Sequence, residues 1–129
     1  MKYDPIKFTT EKSLQEIRAT LQNVCTQINA ETERIESKDV FGVEKYKLEI
    51  GVLAHGRTAF PMGVPWGVQI CVYDKGTERL VELSALDNGF SSSFAKAYFG
   101  ANNGIKDGTA YKMSTSKTMR DKMYNALHW

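Results

Sequence analysis

Leu14, Ile17, Leu21, Val24, Cys25 and Ile28 follow one another at steps of 3, 4, 3, 1 and 3. That spacing places all six on one face of an α-helix and predicts a helix over residues 10–31, with Glu16, Arg18, Gln22 and Asn29 on its other faces. Thr9 or Thr10 is placed to cap its start, and Glu11 complements the dipole there. The period then shortens to two. Tyr46, Leu48, Ile50 and Val52 alternate with Lys45, Lys47, Glu49 and Gly51, the pattern of a strand with one wet face. Between helix and strand, Ile35 either ends the former or opens a short strand of its own.

A second alternation sets Trp66, Val68, Ile70 and Val72 against Gly67, Gln69, Cys71 and Tyr73. The DKGT at residues 74–77 marks a hairpin, with Gly76 free to take positive φ, and the return strand covers 79–86. The pattern then loosens through residues 87–112, apart from a short helix predicted over 92–99 and ended by Gly100. A final helix, capped by Ser114 or Ser116, carries Met119, Met123 and Leu127 at steps of four. The predicted fold is a two-layer α+β domain spanning residues 1–129. Its long N-terminal helix and its C-terminal helix pack on a three- or four-stranded antiparallel sheet.

The link between the first two strands breaks the rule that connections are polar. Residues 55–67, HGRTAFPMGVPWG, hold Phe60, Met62, Val64 and Trp66 spaced by Pro61, Gly63 and Pro65. The prolines remove two backbone donors and bias the chain to extended form, so residues 60–66 are not a regular central strand. Either Phe60 and Trp66 fold back to plug the core, or the stretch is an apolar lip for a ligand or partner. The lip reading anchors Trp66 in the core, leaves Phe60 and Met62 partly exposed, and uses His55 and Arg57 at the rim to fix a polar head group.

Composition narrows the remaining options. The chain is 42% hydrophobic and 25% charged, ordinary for a folded domain of 129 residues, with a formal charge of +2. Residues 1–89 carry 11 Lys/Arg against 13 Asp/Glu, and residues 90–129 carry 6 against 2. That modest basic end falls short of a nucleic-acid-binding composition, and its aromatics lie in loops and on helix stripes. The opening MKYDPIKF lacks the apolar core of a signal peptide, and no apolar run approaches the roughly 18 residues of a membrane span. A cytoplasmic protein with reduced, buried Cys25 and Cys71 is the expectation.

Catalytic signals are sparse. His55 and His128 lie 73 positions apart without a Cys or Asp at ligand spacing, so neither a metal nor another cofactor is expected. NGFSSSF is not the G-x-S-x-G of a nucleophile elbow, and GANNGIKDGT lacks the ending of a P-loop. A His55–Cys71 pair would require the two to meet across neighbouring strands. Glu49 and Glu82 lie mid-strand and are expected to face water. Ser114, Ser116 and Lys117, at the start of the last helix, are a candidate anion site. The element order resembles the helix-grip and TATA-binding-protein-like folds, but no motif belongs to either, and fold alone does not give function. The leading expectation is non-catalytic binding of an apolar small molecule or a partner protein through residues 55–67. The alternatives are a small enzyme whose site forms only in three dimensions, and a homo-oligomeric module pairing through a sheet edge.

Overall fold

The computed structural model describes residues 2–36, 46–59, 63–87 and 111–128. Its elements are β1 (Lys2–Thr10), α1 (Leu14–Gln27), β2 (Glu31–Arg34), β3 (Lys47–Arg57), β4 (Pro65–Asp74), β5 (Arg79–Asp87) and α2 (Met113–Leu127). The strands form one antiparallel sheet of five, in the order β1-β5-β4-β3-β2. The α+β class therefore holds, with more strands than the three or four expected.

Both additional strands are edges with weak sequence signals. β1 contains Pro5, which an edge strand tolerates because one side of its backbone has no ladder to complete. Asp4, Ile6, Phe8 and Thr10 are only half-buried, so no apolar stripe announces the strand. β2 is four residues long, and it takes the end of what reads as helix. α1 stops early because Asn29 adopts φ 55°. The Asn29 amide then donates to the Thr26 carbonyl and the Ala30 amide to that of Cys25, a Schellman closure. At its other end α1 is capped by Ser13 rather than Thr9 or Thr10. The Ser13 Oγ accepts from the Glu16 amide at 3.1 Å.

One face of the sheet carries Ile50, Ala54, Trp66, Val68, Ile70, Val72, Val81 and Leu83, and both helices pack on this side. Ile17, Leu21, Val24 and Cys25 of α1 are buried there, as are Met123 and Leu127 of α2. The hydroxyl of Ser116 ties α2 to the sheet, donating to the Leu86 carbonyl at 2.7 Å and accepting from the Gly67 amide at 3.1 Å. The helix begins at Met113 without a side-chain cap, so neither Ser114 nor Ser116 caps it. One turn beyond Ser116, the Arg120 guanidinium donates to the Asp4 carbonyl at 2.9 Å and lies 3.1 Å from its carboxylate. Lys117 reaches the same carboxylate at 3.3 Å.

The opposite face is also buried, against the expectation of a wet surface. Leu53, Cys71, Tyr73 and Leu86 cluster with Ile35 and Tyr111. A Cβ at Gly67 would come within 2.8 Å of the Tyr111 ring, and one at Gly51 within 2.5 Å of the Ile35 carbonyl oxygen, so both coverings lie directly on the sheet backbone. A register shift between Leu48 and Ile50 sends these two residues to different faces, although simple alternation puts them together. Gly76 takes φ 102° in the β4–β5 turn, as its sequence requires. The short helix expected over 92–99, with the rest of 88–110, lies outside the described residues. No described helix is long and apolar enough to cross a membrane.

Two outcomes follow from this packing. Ile17→Ala, at a side chain 1% exposed, is expected to cost about 2–5 kcal/mol in a denaturant melt. A loss under about 0.5 kcal/mol would mean that α1 does not bury this face. The hydrogen bond from Arg120, helped by Lys117, holds the Asp4 carboxyl below the usual carboxylate range. Its stabilisation is therefore complete above the unfolded pKa and disappears as pH falls through the folded one. Wild type should exceed Asp4→Asn by no more than about 1 kcal/mol above about pH 4, the gap closing toward about pH 2. A gap that persists at the acid end would assign the effect to something other than this carboxylate.

Candidate functional site

The helices do not cover their face of the sheet evenly. α2 packs on β5 and β4 and reaches β1, whereas α1 packs chiefly on α2. A trough of about 420 Å³ remains between α1 and the β2–β3 side of the sheet. From the helix it is lined by Arg18, Leu21, Gln22, Cys25 and Thr26, whose spacing makes one continuous stripe on α1. From the sheet come Thr32 of β2, Ile50 and Val52 of β3, and Ile70 of β4, with Ala30 at the turn. Small side chains at Ala30 and Thr32 are part of why the space stays open. A neighbouring space of about 400 Å³ shares Arg18, Thr32, Ile50 and Val52 and adds Glu33, Arg34, Glu49 and Gly51.

Strand register arranges the sheet side of this trough. Ile70 stands opposite Val52, and Val52 opposite Arg34, so one row crosses β4, β3 and β2. The row begins in the core at a fully buried isoleucine and ends at an exposed guanidinium. Apolar floor and polar rim are thus both built in. Cys25 lines the wall, and burial pushes its thiol pKa up. The sequence carries a signal for this site in the Arg18, Gln22 and Thr26 row beside the apolar stripe, which alone reads as an ordinary solvated flank.

The residues expected to form the lip go to different places. Trp66 is fully buried among the helix-side core residues. His55 lies on the opposite face, 93% buried, with Nε2 3.7 Å from Glu33 and 4.0 Å from Glu31. Arg57 donates to the Gly63 carbonyl at 3.0 Å, closing the β3–β4 hairpin from the exposed side. Val64 is half-buried, and its amide donates to the Thr58 hydroxyl at 2.8 Å. Phe60 and Met62 lie outside the described residues. In the candidate anion site, the Ser116 hydroxyl is engaged by the sheet and Lys117 by Asp4, while Ser114 is exposed.

The opposite face holds a polar row that alternation alone assigns to water. Glu82 is 3% exposed and Gln69 2%, a correction to the expectation that Glu82 faces solvent. Gln69 stands opposite Ser84, and Cys71 opposite Glu82, whose carboxylate lies 3.8 Å from Lys7. Among the described residues the Ser84 Oγ has no hydrogen-bond partner. Burial pushes the Cys71 thiol up to about 12, with Tyr73 lowering it and the Glu82 charge raising it further. A thiol in that state is protonated at neutral pH and is no nucleophile. His55 stands opposite Gly67 and Cys71 opposite Gly51, four residues along β3 or about 13 Å, so the two do not pair. Among the described residues no group of three His, Cys, Asp or Glu is placed to hold a metal ion.

No protein family, curated protein or solved structure matches this chain. Geometry and chemistry are what speak to its function.

The state of Cys71 has a direct readout. In native protein at about pH 8, Cys71 should resist a disulfide exchange reagent and become reactive only when the chain is unfolded. Fast labelling of Cys71 in folded protein, located by peptide mapping, would contradict the burial of this face.

Proposed function

We propose that this protein binds a small amphipathic molecule, without transforming it, in the trough between α1 and the β2–β3 side of the sheet. One observation carries the reading: an apolar floor of Leu21, Ile50, Val52 and Ile70 under a polar rim. Its volume of about 420 Å³ lies within the usual range for small-molecule sites, roughly 300–1,000 Å³. The function class is the one expected from residues 55–67, but the supporting residues are different. In the lip reading His55 and Trp66 would serve one ligand, whereas here they occupy opposite faces of the sheet. The trough unites helix and strand residues that the chain keeps far apart. A catalytic reading draws no support from Cys71, whose thiol stays protonated.

Val52 stands at the centre of the floor and is half-buried, so a larger side chain there would project into open space. Titration with 8-anilinonaphthalene-1-sulfonate, followed by fluorescence, should show one saturable site per chain in the wild type. Val52→Trp should weaken that site about tenfold or more, because it removes the burial of at least two ligand methylenes. Thr32→Trp fills the same space from an exposed edge position and serves if the first variant folds poorly. Undiminished binding in a folded, filled variant would place the ligand elsewhere, and a wild type with no saturable site would end the proposal.

A further inference from the structure

We infer that the ligand of this trough carries an anionic head, a carboxylate or a phosphate, held between Arg18 and Arg34, with its apolar tail over Ile50 and Val52. The inference rests on the trough being a ligand site. Its own evidence is the condition of the arginines. Arg57 donates to the Gly63 carbonyl, Arg79 to that of Lys12, and Arg120 to Asp4 and Asp121. Arg18 and Arg34 both line the neighbouring space beside the trough, and among the described residues neither has a hydrogen-bond or ion-pair partner.

The two carboxylates that share this space have neighbours of their own. Glu33 and Glu49 line it as well, but Glu33 lies 3.7 Å from His55 Nε2 and Glu49 lies 3.8 Å from Lys47. Two planar guanidinium forks facing one space repel each other, and a carboxylate or phosphate between them accepts from both. Thr32, shared by the trough and the neighbouring space, adds a hydroxyl donor at the same place. The placement follows from the fold. Arg18 is the charged member of the α1 stripe, and Arg34 ends the row that begins at Ile70 and passes through Val52. An apolar tail over Val52, the half-buried member of that row, delivers its head to the guanidinium at the sheet edge.

The test is calorimetric titration with decanoate, decyl phosphate, decan-1-ol and inorganic phosphate, each below its self-association concentration. It uses wild type, Arg18→Gln and Arg34→Gln, both substitutions lying at exposed positions outside the core. One decanoate or decyl phosphate per chain is expected, with decan-1-ol and inorganic phosphate each about tenfold weaker or more. Each Gln variant should weaken the anionic amphiphiles about tenfold and leave decan-1-ol unchanged. Decanoate binding should also fall below about pH 4–5, where the head is protonated. Equal binding of decanoate and decan-1-ol, unaffected by either variant, would overturn the anionic head while leaving the trough as an apolar site. Inorganic phosphate binding as tightly as decyl phosphate would overturn the role given to the tail. Uptake of neither decanoate nor decan-1-ol would sink the trough reading itself, and this inference with it.

Discussion

The rest of the architecture answers to one constraint, the burial of β4 on both faces. Every residue from Trp66 to Tyr73 is buried, so the sheet needs cover above and below its centre. On one side two helices supply it. On the other, Ile35 and Tyr111 sit against backbone that lacks a Cβ at Gly51 and Gly67. Polar side chains on that second face are then buried with it. Gln69, Glu82 and Ser84 become interior groups, and Lys7 lies beside the Glu82 carboxylate. Buried polar groups of this kind are costly unless bonded, which makes the face a place of tight structural requirement rather than of free chemistry.

Helix cover on the other face is set by where α2 is tied. Ser116 bonds both the end of β5 and the start of β4, and Arg120 bonds β1. Those contacts commit α2 to the β1 side of the sheet. α1 packs chiefly against α2 rather than flat on β3. The trough is what this arrangement leaves open, and the Schellman closure at Asn29 returns the chain as the short strand β2 along its far wall. The proposed ligand site is thus the part of a two-layer core that the described residues do not fill with their side chains.

The scattering of residues 55–67 shows why apolar density in sequence is a poor guide to a surface. His55 and Trp66 belong to paired strands, but side chains on a strand alternate between faces. The register placing Trp66 beside Gly56 and His55 beside Gly67 sends the two side chains to opposite sides of the sheet. Arg57, next on its strand to Gly56, is held by the hairpin it closes.

What local physics decides is legible in the chain. The stripe of α1, the alternation through β4, the turn at Gly76 and the stripe of α2 follow from periodicity and backbone preference, and they suffice for an α+β domain with an antiparallel sheet. Strand β1 was hidden and β2 was only one of two readings open around Ile35, because an edge strand shows little apolar alternation and a left-handed Asn29 can end a helix where the pattern still permits one. The faces of Leu48 and Glu82 depended on a bulge and on cover from distant parts of the chain. The trough depended on more still. Arg18, Thr32, Val52 and Ile70 share no local pattern, and only the sheet register together with the position of α1 brings them to one space. Periodicity determines which residues face inward on each element, but the gap between two elements is set by how a third is anchored.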